Sequence, residues 1–203
     1  MTVEQLDHLR LLLPASEVIE RDAPGYKEQA ASWSVWADQR PPLVLQPTTV
    51  DSMSKIIKYL YNSDLDFAVR NTGTGSVSAK DVIISTHGFK DFHFDKASET
   101  VTLGSGFCWG EVDALMEKYA YGYQVVGARC SWVGVTGSAL VGGLSWLSHE
   151  FGMISDPKNL LDMQVVLHDG RVLWASEEPE LMWALRGGGG NFGGKYTTRR
   201  TVG

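Results

Sequence analysis

The sequence predicts an α+β fold built from two subdomains, and three observations lead there. Residues 43–70 read as strand, helix, strand, a pattern that requires parallel pairing and a crossover helix. Residues 92–104 and 162–175 each read as two extended runs joined by a short polar turn, the mark of antiparallel hairpins. Three glycine-rich loops, at 71–76, 127–143 and 187–194, punctuate these elements. The expected division is an N-terminal helical segment, 1–40, followed by one large unit, 41–203, with subdomains at about 41–105 and 106–203.

The elements follow in order. Residues 3–13 carry Glu4, Asp7 and Arg10 among leucines, which predicts an amphipathic helix stopped by Pro14. Leu43-Val44-Leu45 is a short apolar strand ended by Pro47. Thr49 and Asp51 can cap a helix over 50–62 that places Met53, Ile56, Ile57 and Leu60 on one face. Strands follow at 66–70, 81–86, 92–95 and 100–104, then a helix over 109–119 with Val112, Leu115 and Met116 on one side. The stretch 127–152 is glycine-rich, apolar and nearly uncharged. A strand at 162–168 turns at Asp169-Gly170 into a second at 172–175, and a short helix spans 178–185. Past Gly193 the chain is polar and basic, and Arg199-Arg200 reads as a solvated tail.

Composition narrows the function classes. The 203 residues suffice for a real core, and a formal net charge of -6 gives no attraction to nucleic acid or to an anionic membrane. Two cysteines, Cys108 and Cys130, are too few for a disulfide framework or a structural zinc site, although a single bridge between them stays open. No metal site is expected. With no signal peptide and no apolar run of membrane-spanning length, the expectation is a cytoplasmic protein.

The glycine-rich loops carry the chemistry. Glycines let backbone N–H groups approach a ligand closely, and Thr72, Thr74 and Ser76 add hydroxyls to the first loop, a nest suited to pyrophosphate oxygens. Any one such loop can equally be a plain turn. A phosphate-binding P-loop needs Gly-x4-Gly-Lys-Ser/Thr, which is absent. Gly73-Thr74-Gly75 has Ser78 where a Rossmann loop needs its third glycine, and Gly104-Ser105-Gly106 has Trp109 there.

Longer motifs are more specific. Arg70-Asn71-Thr72-Gly73-Thr74-Gly75-Ser76, Gly104-Ser105-Gly106-Phe107-Cys108-Trp109-Gly110-Glu111-Val112, the stretch Gly127 to Gly137 with Gly142-Gly143, Asn159-Leu160-Leu161, and Leu181 to Gly193 occur in one order and spacing. Together they resemble the FAD-binding, PCMH-type domain of the vanillyl-alcohol-oxidase and berberine-bridge-enzyme-like family. The resemblance runs from about Pro41 to Gly193.

It implies FAD bound between two α+β subdomains and a small organic substrate, of the kind met in secondary metabolism, oxidised by hydride transfer to flavin N5 with O2 as acceptor. The cofactor-binding residues it implies are Arg70, Asn71, Thr72, Gly73, Thr74, Gly75, Ser76, Gly127, Cys130, Val133, Gly134, Gly137, Ser138, Gly142, Gly143, Asn191 and Gly193. Cys130 stands where the family bonds flavin C6, so a covalent link there and a non-covalent flavin both stay open. Thr74 stands where a histidyl link would need histidine, so that link is expected to be absent. No catalytic acid or base is assigned, and His149 reads as a surface residue. The family's substrate domain is expected to be missing. That implies an open flavin face which a homodimer or a second chain would cover, and a non-catalytic FAD-binding module as the alternative function. The family also continues past its Gly-Asn-Phe-Gly with an apolar strand, which this sequence lacks.

Overall fold

The computed structural model describes residues 1–202, with Tyr196 described by its backbone alone. Gly203, the last residue of the anticipated second subdomain, lies outside the described residues. Helix α1 (Val3–Leu12) opens on a capping box in which Thr2 and Gln5 satisfy each other's backbone N–H groups. Strand β1 (Val18–Glu20) and helix α2 (Tyr26–Ala30) follow within the segment expected to be helical. Three-residue β1 was not legible in the sequence; it pairs antiparallel with β2 (Leu43–Leu45).

Helix α3 (Val50–Tyr61) starts at Thr49, whose hydroxyl accepts from the Ser52 N–H at 3.1 Å. Its anticipated face, Met53, Ile56, Ile57 and Leu60, is buried against the first sheet. Strands β3 (Phe67–Arg70) and β4 (Val82–Ser85) complete that sheet in the order β1-β2-β4-β3. The crossover through α3 is present, but β2 and β3 are not neighbours. Strand β4, apolar on both faces, enters between them parallel to each, which leaves β3 at the sheet edge.

The second sheet is wholly antiparallel. It contains β5 (Phe92–Asp95), β6 (Thr100–Gly104), β7 (Leu160–Val166), β8 (Val172–Trp174) and β9 (Gly194–Thr201), in the order β5-β6-β9-β7-β8. Helices α4 (Trp109–Tyr119), α5 (Val135–Leu140) and α7 (Pro179–Leu185) pack over one face, around Trp109, Val112, Val135, Ala139 and Leu185; short α6 (Ser148–Phe151) lies in the long connection after α5. Met53 and Ile57 of α3 reach Gly194 of β9, so α3 lies between the sheets. None of the helices among the described residues is long and apolar enough to cross a membrane.

Strand β9 corrects the expectation of a solvated tail at Arg199-Arg200. It is the central strand, bonded to β6 on one side and β7 on the other. The slot between two antiparallel strands presents unpaired backbone N–H and C=O groups, and an eight-residue extended segment satisfies them whatever its side chains are. Alternation then sends Arg199 to the exposed face, over the Trp174 ring at 5.1 Å, and buries Arg200 completely. Lys195 and Thr198 are buried as well.

Candidate functional site

The first glycine-rich loop is shaped by Arg70. Its buried guanidinium donates to the carbonyls of Glu28, Ala31, Asn71 and Thr72, and burial lowers its pKa. The side chain is therefore committed to holding the loop rather than reaching a ligand. Gly73 sits at φ +78°, and a Cβ there would lie 2.7 Å from Arg70 Nε and 2.9 Å from the Ala31 carbonyl oxygen. Both the backbone conformation and the clasp require glycine. The Thr72 and Thr74 hydroxyls share a hydrogen bond of 3.0 Å, Gly75 is exposed, and Ser76 adopts a left-handed φ of 57°.

The second loop docks on the start of α4. The N–H groups of Trp109 and Gly110 donate to the Val133 and Ser131 carbonyls, and Val135 N–H donates back to Phe107. The two loops meet at one point. Asn71 Nδ2 donates to the Phe107 carbonyl at 3.1 Å, and a Cβ on Gly134 would stand 2.5 Å from that same Nδ2. Gly134→Ala is expected to push the loops apart and to weaken binding of the FAD that the resemblance implies by at least roughly tenfold, the equivalent of a contact worth about 1.4 kcal/mol. Fluorescence titration of wild type and variant measures it; unchanged affinity would show that the junction does not shape the binding surface.

Trp109 organises the rest of the second loop. Its ring fills the space beside Gly127, and its Nε1 donates to Ser138 Oγ at 2.8 Å. Ser138 Oγ in turn donates to the Gly134 or Val135 carbonyl, so its hydroxyl belongs to the core. Gly137 is exposed on α5 and Val133 is half-buried. Cys130 and Cys108 are both free and half-buried; the Cys130 carbonyl accepts from Val133 N–H.

The third loop closes the arrangement. Gly189 N–H donates to Leu140 at the end of α5 at 2.7 Å, and Gly187 approaches Gly142. The carbonyls of Gly142 and Gly143 accept from Ser155 and Ile154. Asn191 and Gly193 line a cavity of about 820 Å³ between the two sheets, together with Tyr61, Val69, Val77 and His168. The three loops are thus linked in a ring: 71–76 meets 134, 140–142 meets 187–189, and 190–193 shares the cavity wall with Val69 and Val77, which flank the first loop in sequence. Two buried oxygens on this ring, Asn71 Oδ1 and Thr136 Oγ1, have no hydrogen-bond partner among the described residues. Asn71 Oδ1 can only accept, so backbone pressed together where a Cβ would not fit, and polar atoms left unsatisfied, suit a ligand that carries hydroxyl or N–H donors.

Two residues with no assigned role turn out to brace the ring. Buried Asn159 donates to the Phe151 and Met153 carbonyls at 2.8 and 2.7 Å, and Arg186 donates to the Leu160 and Leu161 carbonyls. Both stand inside recognised motifs, but nothing in a one-dimensional motif tells a ligand contact from a scaffold contact. His149 is exposed on α6.

Sheets, crossover helix and loop ring together define the cofactor-holding part of a flavoprotein. The chain belongs to the FAD binding domain family, whose sequence signature matches residues 41–176. It is 31% identical over 183 residues to (R)-6-hydroxynicotine oxidase of Paenarthrobacter nicotinovorans, covering 87% of this chain and 39% of that protein. An FAD-linked oxidoreductase of Arthroderma benhamiae is 33% identical over 196 residues, covering 91% of this chain and 38% of its own length. The crystal structure of 6-hydroxy-D-nicotine oxidase from Arthrobacter nicotinovorans superposes with a TM-score of 0.85 at 28% identity, over 94% of this chain and 43% of that one. Berberine bridge enzyme superposes at 0.87 with 19% identity, over 99% and 43%, which shows the shared fold alone. The two-sheet arrangement is thus the PCMH-type FAD-binding fold, and this chain spans about two fifths of the length of the curated relatives it matches.

Proposed function

We propose that this chain is the FAD-holding portion of an oxidoreductase acting on a small organic substrate, with O2 as electron acceptor, in the manner of secondary metabolism. The observation that carries the reading is the docking of the first two glycine-rich loops at Asn71, Phe107 and Gly134, together with an inter-sheet cavity lined by the third loop and by the residues flanking the first. Backbone N–H groups of 71–76 and 133–138 would hold the pyrophosphate, with the Thr72, Thr74 and Ser76 hydroxyls beside them. Gly127, Cys130, Gly142 and Gly143 would border the flavin, and Asn191 and Gly193 the adenine end of the cavity. FAD, when bound, supplies a hydride acceptor at N5. The chain's own part is to bind it, orient it and exclude water along the pyrophosphate.

The activities named for the relatives, hydroxynicotine oxidase and FAD-linked oxidoreductase, support the reaction class. A second reading, an FAD module that works only when another protein surface covers it, is favoured by one observation. Trp132, Val141, Leu144, Trp146 and Trp183 are exposed around the ring. Such a cluster invites a homodimer or a partner chain.

The test is an absorbance spectrum of the purified chain between about 350 and 500 nm, the flavin window, before and after acid precipitation. Flavin bands establish the site; a colourless protein that FAD neither reconstitutes nor stabilises overturns it. Free FAD at about 100 times its dissociation constant is expected to add roughly 2.7 kcal/mol of stability. Colour remaining in the pellet, and lost in Cys130→Ala, assigns a covalent bond to Cys130. Colour released to the supernatant assigns a non-covalent flavin.

A further inference from the structure

Strand β9 carries a buried lysine with no counter-ion. Lys195 is 3% exposed, and none of the ion pairs among the described residues includes it. Its Nζ donates to the Gly190 carbonyl at 2.9 Å. Burial pushes its pKa down to about 8. An ammonium without a compensating charge is among the costliest groups a protein interior can hold.

The backbone directs it there. β9 pairs Thr197 with Gln164 and Lys195 with Val165, so one extra residue of β9, Tyr196, is accommodated in a bulge. Regular alternation from inward Thr198 would turn residue 195 outward. The bulge reverses that and places Lys195 on the face of buried Val165. The ammonium then ends at Gly190, which lines the inter-sheet cavity and adjoins Gly189, the residue tied to α5. Arg200, the other buried cation of β9, lies over Trp109 and borders none of the described cavities.

We infer that Lys195 positions the glycine ring and supplies the positive charge that compensates an anionic dinucleotide bound in it. The inference rests on the FAD reading. In the free protein the ammonium braces Gly190 and thereby fixes the wall of the cavity. In the complex it stands behind the Gly190 to Gly193 wall of the cavity, in a medium where charges interact far more strongly than in water. A group that destabilises the empty protein and is offset by the ligand makes a sharp prediction: stability and affinity move in opposite directions on its removal.

The experiment is fluorescence titration of the chain with FAD at two salt concentrations, alongside melting curves without FAD, for wild type, Lys195→Met, Lys195→Arg and Arg200→Met. Lys195→Met is expected to melt higher than wild type and yet to bind FAD roughly 10- to 50-fold more weakly, as loss of one charge from behind the cavity wall would give. Its binding should also lose part of its salt dependence. Lys195→Arg keeps the charge and should restore most of the affinity. Arg200→Met should melt higher with affinity unchanged. Wild-type affinity in Lys195→Met, or the same loss of affinity in Arg200→Met, overturns the inference while leaving the FAD reading intact. Absence of FAD binding by wild type overturns both. Should Lys195→Met fail to fold, Lys195→Gln, which keeps a donor for Gly190 without the charge, takes its place with the same expectation for affinity.

Discussion

Replacing Arg200 by methionine is expected to raise the melting temperature by roughly 2–8 °C, from a net gain of about 1–2 kcal/mol at 2–4 °C per kcal/mol. The side chain is completely buried in the core of the second sheet. Among the described residues only Nη1 finds a partner, the Ile154 carbonyl at 3.2 Å, while Nε and Nη2 have none. The guanidinium lies over the Trp109 ring at 5.2 Å. Burial pushes its pKa down to about 9, yet a guanidinium does not release its proton in a protein, so the charge stays and the strain falls on the fold. Exchanging buried charges for packed apolar side chains commonly stabilises by about 1–4 kcal/mol. Loss of the Ile154 bond and of the cation–π contact offsets roughly 1–2 kcal/mol of that. Calorimetry decides: a melting temperature below wild type would mean the guanidinium contributes more than its one hydrogen bond shows.

Truncating Trp109 to alanine is expected to cost about 3–5 kcal/mol, the range for emptying a large buried aromatic site. The ring is wholly buried and belongs to three parts of the molecule at once. It fills the space against Gly127, it ties α4 to α5 through Ser138, and it is the surface under Arg200. Urea unfolding measures the loss, and FAD affinity should fall with it because both ends of the second loop lose their support. Trp109→Phe separates the contributions. It keeps most of the packing and removes the bond to Ser138, for an expected cost of about 1 kcal/mol. Equal effects of the two variants would show that the indole N–H, and not the ring, holds the loop.

These two residues also mark where the sequence is readable. Trp109 stands in a legible motif at the start of a legible helix, and the amphipathic faces of α3 and α4 follow from spacing alone. Strand β9 does not, because Lys195, Thr198 and Arg200 occupy positions where a periodic pattern would show apolar residues. Only pairing on both sides, from segments about 35 and 95 residues away, makes it a strand. Helix α5 was hidden by Gly137 in its middle, and the insertion of β4 between β2 and β3 is a choice of neighbours that local pattern does not encode. The glycine loops were visible, but their division of labour was not. Arg70 and Ser138 look like ligand contacts in a motif and spend their polar atoms on the protein, whereas Asn159 and Arg186, given no role, hold the frame.

The position of β9 in its sheet also sets a timetable for the nascent chain. Strand β6 leaves the ribosome some ninety residues ahead of its inner neighbour, and until then β5–β6 and β7–β8 are two separate hairpins with open inner edges. Unpaired edges of that kind are where growing chains associate wrongly. The second sheet is therefore expected to become protease-resistant abruptly, in one step once β9 is available, rather than hairpin by hairpin.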